Sequence, residues 1–347
     1  MAAVTAEKIM QALAEIMAPA GAKVAGLSVE GGRVLLSLEI DASNKVLAPG
    51  LQEAAEKALQ KIPGIEKAAV IVTAEKNMPP AAPSAARGGH AVSKRPVAPD
   101  VKHIIAVASG KGGVGKSTVA ANLALAFAAM GKKAGLLDAD IYGASQPRMM
   151  GLRARPESDD SDMIIPLAAH GVKFISMGLF VGEGEPLVWR GPMVHSALQQ
   201  LFRDVAWGAL DVLVVDLPPG TGDVQLSLAQ NVKMSGAIIV STPQDVALSE
   251  AKKGLAMFQK VNVPILGVVE NMSYHLCQNC GHREDIFSHG GAVAAAAEMS
   301  VPFLGEIPLV TAVRRAADVG VPIVAASPQH PAAEAFKNIA ARVWVAL

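Results

Sequence analysis

Residues Gly110-Lys111-Gly112-Gly113-Val114-Gly115-Lys116-Ser117-Thr118 join a glycine-rich turn to two lysines and two hydroxyls. They satisfy the pattern G-x-x-x-x-G-K-[ST], whose chemistry is the cradling of phosphate. Glycines let the backbone wrap closely enough for successive N–H groups to face phosphate oxygens, and a helix starting behind them adds the positive end of its dipole. In that arrangement Lys116 meets the β- and γ-phosphates and the Ser117 hydroxyl reaches Mg²⁺. Asp138-Ala139-Asp140, followed by Ile141-Tyr142-Gly143, places two carboxylates one residue apart. One can join the Mg²⁺ shell while the other orients an attacking water. Asp216 closes the apolar run Val212-Leu213-Val214-Val215 and precedes Leu217-Pro218-Pro219-Gly220-Thr221-Gly222-Asp223. An acid in that place suits a ligand to Mg²⁺-bound water, and Gly220 can lay a backbone N–H on the γ-phosphate, as a switch does.

The chain has two cysteines, Cys277 and Cys280, at C-x-x-C spacing. Two thiolates so placed reach one metal centre but do not complete tetrahedral coordination. A two-fold dimer would supply four. His275, His282 and His289 flank the pair, so a local zinc site using His275 or His282 is the competing reading.

These groups must be carried to one place by their elements. The β-branched run 103–108 reads as a strand into the glycine loop, and Thr118 to Met130 as the helix out of it. Apolar runs at 134–138, 172–176, 211–216, 236–241, 264–269 and 302–305 alternate with helical stretches. That alternation predicts an α/β fold with a mostly parallel, doubly wound sheet, on which ligands bind at the carboxyl ends of strands. Residues 1–77 read as a separate small α/β domain. Ile9, Leu13 and Ile16 have helical spacing, two strands (24–30 and 34–40) meet at Gly31-Gly32, a helix spans 51–62, and a strand closes at 68–72. Residues 78–100, rich in Pro, Ala and Gly, read as a flexible linker, which leaves 101–347 as the nucleotide-binding domain.

Lysine plus arginine equals aspartate plus glutamate, at 31 each. This balance gives no electrostatic case for nucleic acid or an anionic membrane as partner. Two closely spaced cysteines build no disulfide framework, and the first residues lack a signal-peptide layout. A reducing, cytoplasmic setting is therefore expected.

Lys111 in G-K-G-G-V-G-K-S-T, with D-A-D-I-Y-G and D-L-P-P-G-T-G-D, resembles the deviant-Walker ATPases that include septum-site, partition and nitrogenase-iron-protein relatives. W-R-G-P-M at Trp189 to Met193, E-N-M-S-Y at Glu270 to Tyr274, the C-x-x-C, and G-E-I-P-L at Gly305 to Leu309 resemble more narrowly the Mrp/ApbC family of iron–sulfur cluster carriers. The similarity runs collinearly through about residues 101–325, and the first domain resembles the iron–sulfur-assembly-type domain often fused ahead of this ATPase. The resemblance implies a slowly hydrolysing ATPase that holds a [4Fe–4S] cluster at a homodimer interface. It implies scaffold or donor proteins on one side and recipient apoproteins on the other. By the same resemblance Lys111 reaches into the partner's nucleotide site, Asp140 positions the hydrolytic water, Asp216 supports Mg²⁺ and Asn271 bonds adenine. Gln278 departs from the proline usual after the first cysteine, which loosens that loop. Trp189 and Arg190 match the family without a physical account of their role.

Two other readings stay open: a zinc-binding regulatory ATPase, and a septum-site- or partition-like positioning ATPase. The second would use a C-terminal amphipathic helix through Phe336, Ile339, Val343, Trp344 and Leu347, with Lys337 and Arg342 on other faces.

Overall fold

The computed structural model describes residues 6–30, 33–41, 44, 47–63, 65, 67–75, 96–141, 143–180, 191–277 and 279–347. Gly31, Gly32, Tyr142, Trp189, Arg190, Gln278 and residues 78–95 of the expected linker lie outside that set. The chain divides into two compact units, Met1–Gly88 and Gly89–Leu347.

In the first unit the order is α1 (Ala6–Met17), β1 (Lys23–Glu30), β2 (Arg33–Asp41), α2 (Ala48–Gln60) and β3 (Lys67–Glu75). β2 lies between its neighbours, antiparallel to β1 and parallel to β3. Its alternate residues Val34, Leu36, Leu38 and Ile40 are buried with Ile9 and Leu13 of α1 and Leu59 of α2. Period two on the strand and period three to four on the helices thus meet in one small core.

The second unit contains β4 (Val101–Ala108), α3 (Lys116–Ala129), β5 (Ala134–Asp138), α4 (Gln146–Met149), β6 (Leu167–Ala169), β7 (Val172–Ser176), α5 (Gly191–Arg203), β8 (Leu210–Asp216) and α6 (Asp223–Asn231). It continues through β9 (Gly236–Ser241), α7 (Asp245–Lys260), β10 (Ile265–Leu276), β11 (Arg283–Glu284), α8 (Gly291–Glu298), β12 (Phe303–Leu309), α9 (Thr311–Asp318), α10 (Ile323–Ala326) and α11 (Pro331–Ala346). The sheet has nine strands in the order β11-β10-β9-β4-β8-β5-β7-β6, with β12 also on β10. Among the described strands of this sheet the short edge strands β6 and β11 pair antiparallel; the others are parallel and covered by helices on both faces, as the alternating runs predict.

Strand β4 shows why such runs read as continuously apolar. Ile105 and Val107 enter the core shared with α3 and α11, while Ile104, Ala106 and Ala108 enter the core shared with α5 and α7. Helix α3 is apolar nearly all round because it lies between the sheet and α11. Its one buried amide, Asn122, donates to the Thr118 carbonyl at 2.9 Å and accepts from Val324 N–H at 3.1 Å.

Residues 96–100 are part of this body rather than the end of a linker. Ala98 is buried and its N–H donates to Phe202 O at 3.0 Å. Helix α11 packs inward: Phe336, Ile339 and Val343 are buried in the core of α3, and Trp344 lies against Phe127 and beneath the Lys132 ammonium. Burying three such side chains contributes about 1.5–3 kcal/mol each. The apolar face that a positioning ATPase would offer to lipid is occupied. Among the described residues no helix is long and apolar enough to cross a membrane.

Candidate nucleotide site and thiol hairpin

β4 delivers its chain end at Ser109, and the glycine loop turns from there into α3. Two glycines are required by close approach. A Cβ on Gly110 would stand 2.1 Å from the Glu250 backbone of α7, and one on Gly115, where φ is +81°, would stand 2.1 Å from Asn271 Nδ2. The loop is thus seated between α7 and β10. Asn271 is buried, and its Nδ2 donates to Val114 O at 2.8 Å.

The adjacent ends of β5 and β8 place Asp138 opposite Asp216 in register. Asp216 is fully buried; its Oδ1 accepts from the Lys116 ammonium and its Oδ2 from Gln146 Nε2 at 2.9 Å. Asp140 Oδ2 lies 4.0 Å from the same ammonium, and Asp140 Oδ1 accepts from Gly143 N–H at 3.1 Å. Asp138 accepts from Ser176 Oγ at 2.9 Å and from the Asp140 N–H at 3.1 Å. Two carboxylates, Asp216 and Asp140, therefore face one ammonium, with Asp138 held beside them by Ser176 and the Asp140 backbone. Burial, reinforced by the neighbouring Asp216 charge, pushes the Asp138 carboxyl up to about 8. Asp140 is raised as well, by burial first.

Ser109, Gly112, Gly113, Lys116, Ser117 and Asp140 line a cleft of about 280 Å³. It shares Thr118, Ser145 and Met149 with a larger cavity of about 640 Å³, walled also by Asn271, Met272, Pro308 and Val310. Three donors expected to meet nucleotide are paired with protein acceptors: Lys116 with Asp216, Asn271 with Val114 O, and the Gly220 N–H with Ser109 O at 2.9 Å. Lys111 is exposed, and its ammonium has no partner among the described residues.

β10 continues five residues past Asn271 to Leu276, and Cys277 follows directly. Met272 has φ +55°, a left-handed conformation rare outside glycine, which marks a locally strained site. Buried Glu270 spans this kink: it accepts from Ser273 Oγ at 2.6 Å and from Ala292 N–H of α8 at 2.8 Å. His275 then pairs with Glu284 and Leu276 with Arg283, making a hairpin with the thiols in its turn. The Cys277 N–H donates to His282 O at 2.9 Å, and Gly281 N–H to Cys277 O at 2.8 Å. Cys277 is half-buried and Cys280 exposed. Backbone N–H groups of Cys280, then Asn279, hold the Cys277 thiol below its ordinary range. Arg283 braces the hairpin, lying 4.1 Å over the Tyr274 ring, 3.1 Å from Asp285 and 3.9 Å from Glu306.

No histidine or carboxylate joins both thiols in one coordination-sized group among the described residues. The His275 ring is engaged through Nδ1 with Leu309 O at 3.0 Å, and His289 faces Arg283. Glu270, His289 and Glu306 do converge, but the Arg283 guanidinium stands 3.0 Å from His289 and supplies the cation there.

Of the residues singled out from the sequence, the structure brings the loop and Asp140 to one cleft, buries Asp216 against Lys116, and sets the two cysteines apart in the hairpin turn. Sequence reasoning misses Gln146, Ser176 and the Glu270–Ser273 clamp. Glutamine before Pro147 carries no motif, and Ser176 is one more residue at the end of a buried strand.

A parallel sheet, a glycine loop between strand and helix, and carboxylates at adjoining strand ends define a phosphate-loop nucleoside triphosphatase. The chain belongs to the family described as NUBPL iron-transfer P-loop NTPase, which matches residues 100–344; residues 6–72 match the family described as iron-sulfur cluster assembly protein. An iron-sulfur cluster carrier protein of Pseudomonas fragi is 53% identical over 243 residues, covering 70% of this chain and 85% of the relative. One of Synechocystis is 44% identical over 322 residues, covering 91% and 88%. A solved nucleotide-binding protein of Archaeoglobus fulgidus, in complex with ADP, is 38% identical with a TM-score of 0.57, covering 64% of this chain and 87% of its own.

Proposed function

We propose that this chain binds and slowly hydrolyses ATP with Mg²⁺, carries a [4Fe–4S] cluster between two copies of itself, and passes the cluster to recipient apoproteins. The observation that carries the reading is the hairpin: two thiols at the end of a core strand, with no third ligand in reach among the described residues. Half a cluster site needs its other half from outside the chain. A two-fold partner supplies two identical thiols.

The hard oxygen donors at the cleft fit Mg²⁺, and buried Gln146 Oε1, which lacks a hydrogen-bond partner, leaves an acceptor for its hydration shell. Ser117 would hold the ion directly and Asp216 through water. Once bound it would neutralise charge across the phosphates. On this reading Lys116 exchanges Asp216 for phosphate oxygens, and Asp140 takes the attacking water. Gly220 turns its N–H from Ser109 to the γ-phosphate, Asn271 reads adenine at the cavity wall, and Lys111 enters the partner's site. Scaffold or donor proteins would load the cluster.

Anaerobic reconstitution with iron and sulfide tests the carrier role. Wild type should take up about four iron and four sulfide per dimer, as a [4Fe–4S] cluster requires, with a broad visible absorption. A Cys277→Ala/Cys280→Ala chain that gains the same iron and the same spectrum would refute it.

A further inference from the structure

Gln146 opens the short helix α4 that follows the Asp140 segment, and it is completely buried. Its Nε2 donates to two acceptors, Ser117 O and Asp216 Oδ2, each at 2.9 Å. Turning the carboxamide over would set its oxygen against both acceptors, so its orientation is determined. The remaining atom, Oε1, is buried without a hydrogen-bond partner. A buried acceptor left unmet is destabilising and calls for a reason.

We propose that Gln146 is a positioning residue for Mg²⁺: it fixes the Asp216 carboxylate relative to Ser117 and keeps it fixed when Lys116 leaves. This rests on the nucleotide-site reading above. In the present arrangement Asp216 is held on both oxygens, by Lys116 and by Gln146. With phosphate in the cleft the ammonium would be drawn away, and Oδ1 would be free to help hold the ion. Among the described residues, the Gln146 contact is then the one left to restrain rotation of the carboxylate. The same side chain grips the backbone of Ser117, whose hydroxyl would be the direct ligand, so one amide sets the spacing of both groups that would hold Mg²⁺.

The test is binding, not turnover. Affinity for a fluorescent ADP is measured in EDTA and in excess Mg²⁺ for wild type, Gln146→Leu, Gln146→Met and Asp216→Asn. Both Gln146 variants should show a Mg²⁺-dependent gain in affinity smaller than that of wild type by about tenfold, the usual cost of losing an outer-shell partner. A Gln146→Leu or Gln146→Met chain with the wild-type ratio of the two affinities overturns the proposal. So does an equal loss in both buffers, since a merely structural defect lowers both alike. If wild type gains nothing from Mg²⁺, or Asp216→Asn keeps the full gain, the nucleotide-site reading itself falls.

Discussion

The Lys116 ammonium donates to the Asp216 carboxylate in a pair buried between the start of α3 and the end of β8, with side chains 6% and 0% exposed. The lysine expected at the phosphates is thus also a structural counter-ion. Removing one member of a buried pair leaves an uncompensated charge, at a cost of about 3–5 kcal/mol. Lys116→Met should lower stability in urea by that order. Lys111→Ala, at an exposed lysine, should stay within about 0.5 kcal/mol of wild type while hydrolysis is lost. Equal stability of the two variants would show that the pair contributes nothing to folding.

Asp138 gives the fold a pH dependence of defined sign. The native state retains a proton up to about 8 that the unfolded chain releases near the ordinary 3.8. Stability from this group therefore falls as pH rises from about 4 to about 8, and is flat above that. Asn in its place would carry no charge and should flatten the slope. Urea midpoints at pH 5, 6.5 and 8, in EDTA without nucleotide, check it; an Asp138→Asn chain with the wild-type slope contradicts the assignment.

Met272 sits in the left-handed region beside the loop-holding Asn271. Valine, branched at Cβ, tolerates that backbone poorly, and Met272→Val should cost about 1–3 kcal/mol. Relaxation of the kink would also shift Asn271 and weaken nucleotide binding. Thermal melting with and without ADP measures both effects. A Met272→Val chain as stable as wild type would mean the kink carries no strain.

Arg283 links the thiol hairpin to Tyr274 and Glu306 at partly exposed positions. Such contacts contribute little to global stability, about 0–1 kcal/mol, but they hold the hairpin in place. Arg283→Ala should shorten the lifetime of a reconstituted cluster under chelator challenge, with nucleotide affinity unchanged. Unaltered cluster decay would assign the bracing elsewhere.

The glycine loop, Asp140, Asp216 and the seven apolar runs were legible because each depends on local pattern. β10 shows where pattern stops. The apolar run ends at Val269, yet the strand continues to Leu276 because Glu270, Asn271 and Ser273 are satisfied by Ala292, Val114 and one another. Polar residues in a strand look like a loop until their partners, up to 157 positions away, are known. Gln146 is hidden for the same reason: its acceptors are 29 and 70 residues distant. The inward packing of Phe336, Ile339 and Val343 likewise needed the tertiary fold, since an amphipathic helix reads alike whether it faces lipid or core.

β10 is buried from Leu266 to Asn271 and again at Ser273, and only its far end carries the thiols into solvent. Oxidation there would spoil the cargo end of a chain whose nucleotide end stays folded. In the proposed dimer such a copy still pairs, and its intact partner is left with half a cage. Damage to one chain then silences two, so even a minority of oxidised copies would act as a dominant inhibitor of delivery.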